Sequence, residues 1–295
     1  IMRKLLIALI LLVSYSCLAQ DKLPPPKEVP KDYRPFYRDM IKEKKRLDRQ
    51  LKKEDWDITL DPIAAVHTDI GLRSLAAESN WGKPILLPPA IDQRMTSECT
   101  CKVHLKTADT AGAFDHPDLQ EGQEKGANYT NSPTLKDIHG HGTHVNGIAV
   151  AKDLGLVYSL VKKGLVTHSG IKVLGDQGQS SFNWVANMIG TEDIDNKKRI
   201  DNDQDVVING SFGGGTNKIA VVENALKKSS DLGVMYVFAA GNTGGPVNYP
   251  GNSDYGITAG SLDQNLKASS FSSRGPELDN ATPGRNIRST YKNVS

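Results

Sequence analysis

A chain of 295 residues with 38% hydrophobic and 24% charged side chains has the composition of a water-soluble globular protein, long enough for one large domain and a smaller segment beside it. Its formal charge is +2, and the 19 residues at its start hold Arg3 and Lys4 but no acid, so the rest is neutral overall. That balance gives no electrostatic case for nucleic acid or an anionic membrane surface as a partner.

Met2-Arg3-Lys4, an apolar run over 5–13 and the tract Ser-Tyr-Ser-Cys-Leu-Ala-Gln predict a signal peptide over 1–19, cut after Ala19. The run is too short to span a bilayer, so the expectation is a secreted or periplasmic protein without stable membrane insertion. Lipoprotein anchoring at Cys17 is the lesser alternative, because Ser14 stands where that signal favours an aliphatic residue. Ile1 ahead of Met2 suggests translation of a partial reading frame.

Residues 20–88 form an N-terminal extension of different character. Pro24-Pro25-Pro26 and Pro30 keep its start extended. Phe36, Met40, Ile41, Leu47 and Leu51 then recur at helical spacing among Lys, Arg and Asp, which predicts a charged amphipathic helix. Cys99 and Cys101, one residue apart, are too close for an unstrained bridge and read as two thiols or one weak disulfide.

Residues 89–295 read as an α/β domain. Short apolar runs at 103–108, 171–174, 206–209, 234–240 and 257–260 suit strands, and 142–151, 182–188 and 219–231 suit helices. Their alternation predicts a parallel sheet with helices on both faces, and functional residues at the carboxyl ends of strands. Asp109 and Asn242 stand at two such ends. The acid-rich stretch 191–205 is expected to be a solvated surface insertion. Asp201-Asn202-Asp203-Gln204-Asp205 within it has some likeness to a calcium loop, but Val206 replaces the turn glycine. The run at 103–108 places His104 and Lys106 on one face, where a central parallel strand is normally apolar. Lys106 is therefore expected to snorkel to an edge or to lie beneath a poorly covered face.

Amide hydrolysis needs a nucleophile, a base for its proton and donors for the developing oxyanion. His141, flanked by Gly140 and Gly142, is the candidate base, and Asp109 would orient it. Asn242, after a wholly apolar run, offers a neutral amide donor. His139-Gly140-His141-Gly142-Thr143-His144 also resembles the ligand run of metallo-hydrolases, but Thr143 replaces the carboxylate and only His168 follows. His67, His104 and His168 have no partner motif and read as ordinary surface or core residues.

Six blocks in order resemble the subtilisin-like serine proteases (subtilases), over about residues 86–295. Asp109-Thr110-Ala111-Gly112 with His116-Pro117-Asp118-Leu119 is similar to the aspartate block, and His141 to Gly147 to the histidine block. Ile171-Lys172-Val173-Leu174-Gly175 is similar to a core strand, and Val207-Ile208-Asn209-Gly210-Ser211-Phe212-Gly213-Gly214 to the substrate-binding strand. Ala239-Ala240-Gly241-Asn242 resembles the oxyanion segment, and the tracts 268–276 and 281–284 follow in the family's order.

The resemblance implies a monomeric endopeptidase acting on polypeptides, with Asp109 and His141 in the triad and Asn242 in the oxyanion hole. Ser211, Phe212 and Gly213 would bind substrate backbone as an added strand. Ala239, Ala240 and Gly241 would wall the pocket for the residue before the cut. Residues 20–88 would then be a prosegment.

The chain also departs from that pattern. No Gly-Thr-Ser-Met-Ala block follows Pro283-Gly284, and Ser295 lacks the setting of a nucleophile. The expected reading is a fragment of a peptidase domain, inactive alone; the alternative is a non-catalytic peptide-binding pseudoprotease. Ala111 stands where the family has Gly, and would crowd the turn if its φ were positive. Asp118 alone is a poor ligand set and no Asn-bearing loop is found over 151–172, so no cofactor is assigned and calcium is left open.

Overall fold

The computed structural model describes residues 100–112, 115–152, 155–263, 267–285, 287 and 289–291. The expected signal peptide, the 20–88 extension, Cys17 and Cys99 lie outside these residues.

Among the described residues six strands form one sheet: β1 (Lys102–Asp109), β2 (Val166–Lys172), β3 (Gln204–Gly210), β4 (Met235–Ala239), β5 (Ile257–Leu262) and β6 (Asn280–Pro283). Their order is β2–β1–β3–β4–β5–β6, and every neighbouring pair is parallel. Four α-helices among the described residues accompany them: α1 (His141–Val150), α2 (Tyr158–Lys162), α3 (Phe182–Asp201) and α4 (Ala220–Asp231). The predicted α/β class with helices on both faces is therefore the observed one.

Strand alternation builds both layers of the core. Val206 and Ile208 of β3 join Val185, Met188 and Ile189 of α3 and Val222 and Leu226 of α4 on one face. Val207, between them in sequence, joins Val103, Val150, Leu160 and Val166 on the other. A parallel strand covered on both sides must be apolar throughout, which is why the 206–208 run is continuous. Along β1, Val103 and Leu105 face the α1–α2 layer and Ala108 faces the α3–α4 layer. Asp109 shares the parity of Val103 and so emerges beside α1.

Two expectations about the α3 side are corrected. The stretch 191–205 is not a surface insertion, because α3 continues without a break to Asp201. Lys106 neither snorkels nor lies under a bare face: it is 1% exposed, and its Nζ donates to Glu192 Oε2 at 2.6 Å and Asp195 Oδ2 at 2.9 Å. Further along α3, Arg199 donates to Asp195 Oδ2 and Glu124 Oε2, both at 2.6 Å, and Asp193 accepts from Ser229 of α4. The acids are internal partners at helical spacing, and a charge in the sheet needs them, since an unpaired buried charge is prohibitive. Burial pushes the Asp195 carboxyl up, but the hydrogen bonds from Arg199 and Lys106 outweigh it and hold it at about 2.

The sheet also extends beyond the apolar runs. β2 begins at Val166, five residues before the expected strand, with His168 fully buried between Asn146 and the Glu121 carbonyl. A segment over 122–129 covers its outer edge through Glu124 N–His168 O and Tyr129 N–Lys172 O bonds. β6 is a four-residue edge strand ending in proline, and an edge is one of the few places where a sheet tolerates proline.

Candidate active site

β1 has β2 on one side and β3 on the other, so the chain order reverses at its carboxyl end. Crevices at such reversals are where ligands bind in open α/β sheets. Asp109 closes β1 at this point and is fully buried. His141 opens α1, with its side chain 45% exposed. The two meet: His141 Nδ1 lies 2.7 Å from Asp109 Oδ1. A carboxylate only accepts, so Nδ1 carries the proton and Nε2 presents its lone pair. Among the described residues, no serine hydroxyl hydrogen-bonds to Nε2. The Asp109 bond lifts the His141 pKa above 6.5; burial opposes it, and the charges of Asp109 and Asp137 add to it.

Local backbone chemistry brings the pair together. Gly140 precedes α1 at φ 96°, in the left-handed region that favours glycine, and supplies no side-chain cap. At Gly142 a Cβ would stand 1.9 Å from the Ala111 carbonyl oxygen, so only glycine lets α1 approach the end of β1 this closely. Ala111 itself has φ 93°, so the residue that departs from the family pattern occupies a strained backbone position. Thr110 N donates to Asp109 Oδ1 at 2.7 Å, and Thr110 Oγ1 accepts from Gly142 N at 2.8 Å.

A cleft of about 720 Å³ runs from this pair across the carboxyl ends of β3 and β4. Thr110, His139 and His141 line one part of it, and Asn242 and Thr243 another. Ser211, Phe212 and Gly213 line it after β3, as do Ala239 and Gly241 after β4. Ala240 does not reach it: it is 2% exposed, its N–H donates to the Ala259 carbonyl and its carbonyl accepts from Asn248 N. Gly241, at φ 104°, makes the turn that exposes Asn242; a Cβ there would meet Asn248 Oδ1 at 1.8 Å. Asp109 lies behind His141 rather than on the cleft wall.

The histidine run does not converge. The His139 and His141 rings are 6.2 Å apart edge to face, and His144 Nε2 donates to the Ile287 carbonyl. Among the described residues no group of three His, Cys, Asp or Glu side chains could hold a metal ion.

Sequence reasoning missed Asp137. This buried carboxylate accepts from Thr110 Oγ1 (2.8 Å), Gly140 N (2.7 Å), Thr143 N (2.8 Å) and Thr143 Oγ1 (2.6 Å). Its only signal was an acid just ahead of a helix whose own cap residue is glycine.

A doubly wound parallel sheet with a carboxylate–imidazole pair at its reversal point is a layout suited to hydrolytic enzymes. Residues 59–295 match the model of the subtilase family (Peptidase_S8), and the chain belongs to that family. It is 32% identical over 246 residues to an alkaline protease of Alkalihalobacillus alcalophilus, covering 82% of this chain and 61% of that protein. To Subtilisin Savinase of Lederbergia lenta it is 33% identical over 213 residues, covering 72% and 74%. The chain thus spans less than two thirds of the length of the alkaline proteases it matches, 61% of two of them and 47% of a third. Among solved structures, a cold adapted subtilisin-like serine proteinase matches with a TM-score of 0.54 and 25% identity, over 64% of this chain and 65% of that one. Sphericase, at 24% identity and a TM-score of 0.55 over 68% and 74%, shares the fold.

Proposed function

We propose that this chain carries the acid–base and oxyanion parts of a serine endopeptidase that hydrolyses peptide bonds in polypeptides. The observation that carries the reading is the 2.7 Å contact of His141 Nδ1 with Asp109 Oδ1 at a cleft that Asn242 also lines. In this reading His141 Nε2 takes the proton of a serine hydroxyl as its oxygen attacks the scissile carbonyl. Asp109 stabilises the resulting imidazolium, which then returns the proton to the leaving amine. The Asn242 amide donates to the oxyanion; in a subtilisin the known cost of losing that amide is about 2.7–4 kcal/mol. Ser211, Phe212 and Gly213 grip extended substrate backbone, and Ala239 and Gly241 form the wall beside the residue before the cut. Ala240 supports that wall from beneath.

The nucleophile in this reading is a serine outside the described residues, because none of the described serine hydroxyls engages His141 Nε2. The division into a signal peptide (1–19), an N-terminal extension or prosegment (20–88) and a peptidase domain (89–295), and a monomeric secreted product, complete the proposal. It is supported by the signal-like start and by subtilisin relatives.

The test is casein hydrolysis by the full-length protein and by its His141→Ala variant. The expected result is cleavage by the former that is abolished in the latter. Full activity of the His141→Ala product would overturn the reading.

A further inference from the structure

Around the Asp109–His141 contact the hydrogen bonds close into a ring. Asp109 Oδ1, which holds His141 Nδ1, also accepts from Thr110 N. Thr110 Oγ1 donates to Asp137 Oδ1 and accepts from Gly142 N. The Asp137 carboxylate then reaches around His141, taking Gly140 N on its Oδ1 and both Thr143 N and Thr143 Oγ1 on its Oδ2. Four donors from two segments, the end of β1 and the start of α1, thus meet on one carboxylate that is 6% exposed.

We infer that Asp137 is a positioning residue, which fixes the end of β1 against the start of α1 and thereby sets the contact between Asp109 and His141. The inference rests on the pairing of Asp109 with His141 proposed above and assigns a role to a residue outside that pair. A plain helix cap would need only the bonds to Gly140 and Thr143, which satisfy open N–H groups of the first turn. The Thr110 bond reaches beyond the helix. It joins the cap to the residue next to Asp109, and Thr110 is in turn held by Gly142 N on the far side of His141. The isosteric amide cannot replace the acid. Each carboxylate oxygen faces two donors, and an asparagine must turn its NH₂ toward one of these pairs.

The experiment is an NMR titration of the His141 ring in the 295-residue protein, in wild type and in the Asp109→Asn, Asp137→Asn and Thr110→Val variants. Asp109→Asn reports on the underlying pair: it should lower the His141 midpoint, and an unchanged midpoint there would overturn the pairing itself. Asp137→Asn should lower the midpoint by at least about half a pH unit, through loss of a nearby charge and of geometry together. Thr110→Val removes no charge and leaves the bonds from Asp137 to Gly140 and Thr143 intact, so a lowered midpoint there reads geometry alone. Shifts in both variants support the role. A shift in Asp137→Asn without one in Thr110→Val shows a charge effect on a simple cap and overturns it, as does no shift in either. Should Asp137→Asn fail to fold by circular dichroism, Thr110→Val alone decides: a lowered midpoint supports the role and an unchanged one overturns it.

Discussion

The Lys106 ammonium lies 2.6 Å from the Glu192 carboxylate, with both side chains shut between β1 and α3. Glu192 also accepts from the Tyr129 hydroxyl at 2.6 Å, so each charge is multiply satisfied. Removing one member leaves the other buried and uncompensated. Lys106→Met should destabilise the fold by about 3–5 kcal/mol, read from urea denaturation. A loss below about 1 kcal/mol would mean that water reaches Glu192 in solution.

Stability should fall as pH drops below neutrality. Burial, with Arg199 nearby, lowers the His104 pKa from 6.5 to about 3, and burial also lowers those of His144 and His168. Each stays neutral in the fold while its unfolded counterpart protonates. The stabilisation is therefore complete above pH 6.5 and, for His104, is lost progressively down to about 3. His141 has the opposite sign, its contribution being present below pH 6.5 and lost through its raised folded pKa. The urea midpoint should be lower at pH 5 than at pH 7, and His104→Gln should flatten that dependence.

On the proposed mechanism, kcat/KM of the full-length protein should rise with pH through the raised His141 pKa, because that mechanism needs the neutral imidazole to accept the serine proton. Asp109→Asn should reduce kcat by about 10⁴-fold by presenting the wrong tautomer. Peptide hydrolysis followed across pH 5–9 checks both effects.

Three small-residue changes should separate space from backbone strain. Gly142→Ala would drive a methyl against the Ala111 carbonyl and should destabilise the fold, whereas Gly190→Ala should not. Gly190 sits inside α3 with nothing within 4 Å of the point where a Cβ would stand, so alanine there should stabilise by about 0.5–1 kcal/mol. Ala111→Gly should stabilise by about 1 kcal/mol by relieving a left-handed backbone. Thermal or urea unfolding of the three variants orders them.

The parts of this fold visible in the sequence were those that depend on near neighbours in the chain. Apolar runs marked β1, β3, β4 and β5, and the glycines around His141 marked the start of α1. The parts hidden from it depend on partners far away. Lys106 is satisfied by Glu192, 86 positions on; without that partner in view, an acid-rich helix reads as a loop and a core lysine as an anomaly. His168 hid the start of β2 because its burial is supported by Asn146 and Glu121. At the candidate site, the blocks singled out Asp109, His141 and Asn242; the structure joins the first two by a hydrogen bond and lines one cleft with His141 and Asn242. Asp137 was not singled out, since its value lies in bonding to Thr110 across the turn. Ala240 was placed on the cleft wall by its neighbours in sequence, yet strand alternation turns it into the core.

The strand order has a consequence for how the molecule is made. Both neighbours of β1 come late, Lys172 pairing with Asp109 and Gly210 with Ala108, roughly sixty and a hundred residues downstream. During synthesis the strand bearing Asp109 leaves the ribosome with neither edge satisfied, and must wait for most of α3 before it can settle. Contacts of such long range fold slowly. A nascent chain arrested before β3 should therefore depend on chaperones, and its protection from proteolysis should appear only once that strand emerges.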